Sequence, residues 1–180
     1  MSLFEIRIRP YVAADVPLLF EAVMESRPQL GPWMPWCHRD YSLEDSQTWV
    51  ADRPAAFAAG TEYAFVIATT DGEFLGACGL NQIDRNDRRA NLGYWVRSSR
   101  TGLGSATEAT RQLARWAFEN TDLQRLEIVA AVGNRASQAV ASKSGAVPEG
   151  IARSRLLLHG VAHDAAIYAI TRAQPLSPER

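Results

Sequence analysis

The sequence predicts a mixed α/β (α+β) domain, a mostly antiparallel central sheet of about seven strands flanked by about four helices. Three observations predict it. Strand patterns form a meander between residues 63 and 96, a long amphipathic helix pattern at 105–120 interrupts them, and a nearly continuous apolar run follows at 126–132. Strand, helix and apolar strand in that order make a parallel crossover inside an otherwise antiparallel sheet.

Each element has its own local cause. Glu5-Ile6-Arg7-Ile8-Arg9 alternates like a half-buried strand and ends at Pro10. Asp15 is read as the cap of a first helix, with Pro17 in its first turn. After a loop rich in Pro and Trp, Ser42-Leu43-Glu44-Asp45 reads as a capping box for a helix that Pro54 bends and Gly60 stops. Strands Tyr63 to Ala68 and Phe74 to Leu80 join through Thr70-Asp71-Gly72, and Arg89 to Val96 is a third. From Ser105 to Asn120, Ala106, Ala109, Leu113, Trp116 and Ala117 recur at helical spacing, so one face packs on the sheet. Leu126 to Val132 is expected to be buried on both faces. A short helix from Ser137 to Ser144 precedes strands Ile151 to Leu158 and Asp164 to Thr171, which turn at His159-Gly160. Residues 1–171 are read as one domain and 172–180 as a disordered tail.

Composition excludes several function classes. The chain has 180 residues, 47% hydrophobic and 22% charged, an ordinary balance for a globular domain with one core. No apolar run is long enough to span a bilayer, and the N terminus lacks a basic segment followed by an apolar stretch, so a cytoplasmic location is expected. With 19 Lys plus Arg against 20 Asp plus Glu, direct nucleic-acid binding is not expected. Cys37 and Cys78 are too few for a disulfide framework, and scattered His38, His159 and His163 make no metal site.

The most informative stretch is Tyr94-Trp95-Val96-Arg97-Ser98-Ser99-Arg100-Thr101-Gly102-Leu103-Gly104-Ser105-Ala106. A strand passes through two glycines into a helix, so free backbone amides and the positive helix end can hold a diphosphate without a lysine. A P-loop would need Lys after its last glycine, where Ser105 stands. A dinucleotide fingerprint would need a third glycine where Thr107 stands. Taken alone, Gly-x-Gly is also consistent with a plain tight turn.

Ser99-Arg100-Thr101-Gly102-Leu103-Gly104 resembles the pyrophosphate loop, Gln/Arg-x-x-Gly-x-Gly/Ala, of the GCN5-related N-acetyltransferases (GNAT), with Ser99 replacing the usual first residue. Asn134-Arg135-Ala136-Ser137 followed by Lys143-Ser144-Gly145 is similar to the family's second acetyl-CoA element. Trp33-Met34-Pro35-Trp36 and Leu92-Gly93-Tyr94-Trp95-Val96 resemble the RimJ/RimL-like subgroup, which includes the enzymes that acetylate N termini of ribosomal proteins. The resemblance spans residues 4–171 and implies the GNAT fold, an acetyl-CoA-dependent N-acetyltransferase and no metal.

It also implies site roles. The main chain of the strand ending at Trp95-Val96 and of the strand Leu126 to Val132 would hold the pantetheine arm, with Arg97 also counted as cofactor-binding. The amides of Arg100, Thr101, Gly102, Leu103, Gly104 and Ser105 would hold the pyrophosphate, with a charge-assisted contact from Arg100. Arg97 and Arg100 also read as a solvated surface turn, Arg97 above all. Asn134 would bond the pantetheine or fix the loop, and Ser137 would support the departing thiolate, because the Tyr that relatives carry one turn later is Ala141 here. From the residues alone, Ser137 is a helix-start serine. Relatives carry a carboxylate where Asn91 stands, so no strong base is provided, although Asp40 and Glu44 could act through water. Trp33, Trp36 and Tyr41, with Asn91, would form the acceptor site; the aromatics read equally as a core lid or a homodimer contact. The expected acceptor is a protein N terminus. A small amine such as an antibiotic or polyamine, and acyl-CoA binding without catalysis, stay open.

Overall fold

The structure, a computed structural model, describes residues 5–172. Seven strands form one sheet in the order β1-β2-β3-β4-β5-β7-β6: β1 Ile6–Pro10, β2 Tyr63–Thr69, β3 Phe74–Asp84, β4 Arg89–Val96, β5 Arg125–Ala131, β6 Val147–Leu158 and β7 Val161–Thr171. Every neighbouring pair is antiparallel except β4 and β5. Among the described residues four α-helices accompany it: α1 Asp15–Leu30, α2 Leu43–Ala59, α3 Ser105–Asn120 and α4 Arg135–Lys143. The expected fold class is the observed one. Arg172 donates to the carbonyls of Phe118, Thr121 and Leu123, capping the end of α3; the rest of the expected tail lies outside the described residues.

Local chemistry sets most element ends. Ser42 accepts from the Asp45 amide while Asp45 accepts from the Ser42 amide, so the predicted capping box forms, and Gly60 closes α2 in the left-handed region. Pro54 lies inside α2. The β6–β7 turn uses His159 and Gly160, both at positive φ, as a two-residue hairpin requires.

Two expectations are corrected. Asp15 is not the cap of α1 but its first residue, and Ala14 holds the cap position without a side-chain bond. Asp15 is buried and accepts from both Arg9 guanidinium nitrogens and from the Val12 amide, because a buried carboxylate needs all its partners. β5 alternates instead of being buried on both faces: Leu126, Ile128 and Ala130 are in the core, whereas Arg125, Glu127 and Val129 are half-buried. Arg125 bonds Glu127 and Glu149 on that open side.

The sheet separates two apolar clusters. On one face α3 packs through Ala109, Leu113, Ala114 and Ala117, all fully buried, against Leu75, Leu80, Leu92 and Leu126. Alanines let the helix lie close to the sheet. On the other face α1 and α2 cover Val66, Ala68, Phe74 and Ala77 with Leu19, Val23 and Val50.

Gly76 of β3 has no room for a side chain against β4: an added Cβ would lie 2.1 Å from the Trp95 carbonyl oxygen. No rotamer relieves a backbone clash of this kind. Gly76→Ala should destabilise the protein by about 1–3 kcal/mol, read as a lower urea midpoint with an unchanged m-value.

Candidate active site

The β4–β5 ladder is short. Arg89, Ala90 and Asn91 pair with Arg125, Leu126 and Glu127, and no pairing joins Leu92–Val96 to Ile128–Ala131. Each strand stays bonded along its length on its other side, β4 to β3 and β5 to β7. The sheet therefore splits without unravelling. The split opens a cleft of about 580 Å³ whose walls include Leu92 to Trp95, Ile128 to Ala131, Asn134 and Ser137, and whose far side carries Trp33, Trp36 and Tyr41.

The turn from β4 to α3 is held from beneath by α1. Glu25 accepts from the Arg97 guanidinium and the Ser99 amide, at 2.9 and 2.7 Å, and Glu21 takes another Arg97 nitrogen at 2.8 Å. Ser26 accepts from the Ser98 amide and Gln29 from the Ser98 hydroxyl. Arg100 pairs with Glu73 at 2.8 Å. Both arginines are thus partnered by carboxylates, and their visible work is to fix the turn. The Arg97 amide bonds the Leu75 carbonyl, the Arg100 amide the Arg97 carbonyl and the Thr101 amide the Ser98 carbonyl.

Past Thr101 the backbone changes character. Gly102 and Gly104 have φ of 78° and 86°, the left-handed region that glycine enters without strain. Among the described residues the amides of Gly102, Leu103 and Gly104 find no acceptor. Gly104 holds the cap position of α3 with no side-chain bond, whereas α2 and α4 are capped by Ser42 and Asn134. The Ser105 hydroxyl is buried and has no partner. These are the features of an anion cradle at a helix start.

Across the split, the Asn134 Oδ1 accepts from the Ser137 amide at 3.1 Å, so this asparagine acts as the cap of α4. Ser137 lines the cleft, and its carbonyl and hydroxyl both meet the Tyr94 phenol, at 2.9 and 3.2 Å. Tyr94 escaped the sequence reading, where it served only as part of a strand motif. Ala141 is fully buried, so that position faces the core, away from the cleft.

Trp33, Trp36 and Tyr41 all line the cleft. Trp36 lies 5.9 Å from Trp95 and 6.1 Å from Tyr41, ring centre to ring centre. Trp33 lies over the backbone of Gly133, just before α4, where an added Cβ would sit 3.3 Å from its ring. Asn91 donates to the Asn81 Oδ1 at 2.9 Å, and both line the cleft. The carboxylates on the walls are Asp45, which the sequence offered only as part of a capping box, and Glu62, which it did not single out; Asp40 and Glu44 are not among the lining residues. Asp45 is engaged by Ser42, which draws its pKa below the usual carboxylate value, and Glu62 accepts from Arg53 at 2.6 Å. Cys78 is buried, and burial pushes its pKa up, so it stays a thiol. His159 donates to the Gly31 carbonyl at 2.7 Å, tying the β6–β7 turn to the base of the aromatic loop.

Comparison with known proteins agrees with this geometry. The model of the acetyltransferase (GNAT) domain matches residues 5–147. The chain belongs to the GNAT acetyltransferase family. YdaF of Bacillus subtilis (strain 168), provisionally named a ribosomal N-acetyltransferase, is 33% identical over 94% of this chain and 92% of its own. The ribosomal-protein-serine acetyltransferase of Escherichia coli (strain K12) is 26% identical over 84% of each chain. The structure of Mycobacterium smegmatis RimJ in complex with CoA-disulfide superposes with a TM-score of 0.82 at 28% identity, over 92% of this chain and 81% of that one. In this GNAT domain no group of three or more His, Cys, Asp or Glu among the described residues is placed to hold a metal ion. No helix among them is long and apolar enough to cross a membrane.

The α1 clamp on the turn has a pH signature. Arg97 draws the Glu25 pKa from 4.5 to about 2. A depressed carboxylate pKa stabilises the fold fully above the unfolded value and loses that contribution as pH falls towards the folded one. Glu25→Gln should therefore lower stability at neutral pH and flatten the loss between about pH 4.5 and 2, with the two proteins converging at the acid end in pH-dependent urea melts.

Proposed function

We propose that this acetyltransferase moves the acetyl group of acetyl-CoA to the α-amine of a protein N terminus, with ribosomal proteins as the acceptor class. The observation that carries the reading is the split between β4 and β5, which connects an uncapped glycine turn to a cleft walled by Trp33, Trp36 and Tyr41. The names of the Bacillus and Escherichia relatives support the acceptor class, and the CoA-disulfide of the RimJ complex supports the donor.

On this reading the amides of Gly102, Leu103 and Gly104, with the Ser105 hydroxyl, take the diphosphate. The amides of Arg100 and Thr101 contribute less, since they already close the turn. Arg97 and Arg100 act by stiffening it. The main chain of Trp95 and Val96, unpaired on the β5 side, receives the pantetheine arm. Asn134 fixes the start of α4, and Ser137 presents its hydroxyl to the departing sulfur.

The acceptor side favours an amine that needs little help. Asn91 cannot take a full proton, and Asp45 and Glu62 are already engaged. An α-amine with a pKa of about 8 is roughly one-tenth neutral at pH 7, whereas a lysine near 10.4 costs about 4–5 kcal/mol to deprotonate. Asn91 then orients the amine and the aromatic wall receives the residues behind it.

Three measurements test this. Gly104→Ala forces a side chain into φ of 86° at the cradle, and should weaken acetyl-CoA binding by about tenfold or more in calorimetry, a loss of about 1.4 kcal/mol. With acetyl-CoA saturating, N-terminal peptides should be acetylated in preference to free lysine side chains, at a rate rising with the peptide's own amine ionisation. Trp36→Ala should raise the peptide KM about tenfold with acetyl-CoA affinity unchanged. Acetyl groups mapped to lysines would overturn the acceptor assignment, and no acetyl-CoA binding would overturn the donor assignment.

A further inference from the structure

The half-buried Tyr94 of β4 reaches its phenol across the split to the first turn of α4, the only part of that helix it bonds among the described residues. Its oxygen lies 2.9 Å from the Ser137 carbonyl oxygen and 3.2 Å from the Ser137 hydroxyl. With the Ser137 amide bonded to Asn134, the serine is held at its amide, its carbonyl and its side chain. A bridge serving only to join β4 to α4 would need the carbonyl contact alone. The second contact sets the direction of the hydroxyl.

We propose that Tyr94 is a positioning residue for acetyl transfer, orienting the Ser137 hydroxyl towards the leaving sulfur. This rests on the acetyl-transfer reading above. The phenol has one hydrogen and, at rest, gives it to the Ser137 carbonyl, so the serine hydroxyl donates to the phenol oxygen. When charge develops on sulfur, the serine hydrogen turns to it and the phenol hydrogen swings from the carbonyl to the serine oxygen. Two hydroxyl rotations suffice, and no heavy atom moves. Cooperative polarisation along such a chain strengthens the final bond to the charged atom.

The chemistry balances without a proton from Tyr94. The amine nitrogen forms the new N–C bond with its lone pair, and the C–S bond breaks with its electrons going to sulfur. The proton shed by nitrogen passes through water to sulfur, leaving an amide and a free thiol. Burial pushes the Tyr94 pKa up to about 12, so it remains a phenol and a donor throughout the neutral range. Its place in the chain fits the task. Tyr94 alternates with Trp95 at the point where β4 has left β5, so one residue reaches α4 while the next faces the aromatic loop.

The test is a double-mutant cycle of Tyr94→Phe and Ser137→Ala, with initial rates on an N-terminal peptide, acetyl-CoA calorimetry and thermal melts for all four proteins. Tyr94→Phe keeps the ring and removes one oxygen, so the fold is retained and the melt verifies it. The expected result is a fall in kcat of about tenfold, or about 1.4 kcal/mol, with both KM values and the acetyl-CoA Kd within about twofold. In the Ser137→Ala background the same change should cost less than about twofold, because the hydroxyl it orients is gone. Wild-type turnover in Tyr94→Phe would overturn the proposal. So would the same tenfold loss in the Ser137→Ala background, or a loss matched by weaker acetyl-CoA binding, since either would make Tyr94 a spacer. A wild-type protein that acetylates no amine would instead bring down the acetyl-transfer reading itself.

Discussion

The ladder between β4 and β5 stops after three residue pairs, and the site depends on that interruption. Two strands that diverge inside a sheet leave main-chain donors and acceptors with no strand to bond, and such groups are costly to bury unpaired. An extended polar arm laid between them can satisfy both edges. The surrounding sheet tolerates the gap because, over the diverging residues, β4 stays paired with β3 and β5 with β7. Helices α3 and α4 follow the two diverging strands in the chain, and α4 begins at the cleft itself, where Asn134 and Ser137 line it.

Helix α1 joins the two sides of the cleft. Its side chains Glu25, Ser26 and Gln29 hold the turn leading to the glycines, while its end at Gly31 begins the aromatic loop and receives His159 from the β6–β7 turn. One element thus ties the turn before Gly102 to the start of the aromatic loop. The arginines near the cradle belong to this scaffold: a guanidinium already shared between Glu21 and Glu25 keeps the turn in place more than it attracts a phosphate.

The elements that were legible in the sequence share a property: their signals lie within a few residues of each other. Ser42 and Asp45 make the capping box, Gly104 sets the start of α3, and His159-Gly160 makes the hairpin turn. Asp15 was misread because a cap and a buried ion-pair partner use the same residue type, and only the position of Arg9 separates them. β6 begins at Val147, earlier than its pattern suggested, because Pro148 and Gly150 interrupt the alternation of an exposed edge strand at a register shift. The alternation of β5 was missed since its apolar run gave no sign that one face would border a cleft.

By itself the sequence determined the fold class, the glycine turn with its unassigned amides, the aromatic loop and the two motifs that carry the family resemblance. All are set by local conformation, where φ preferences, caps and periodicity act over a turn or two of chain. Only the tertiary structure decided which polar groups find one another. Tyr94 meets Ser137 across 43 residues of chain, Arg97 meets Glu25 across 72, and Glu62 is taken by Arg53 from another element. A hydrogen bond is specified by position to within a few tenths of an ångström, and that position follows from the packing of helices against the sheet, which no local signal encodes.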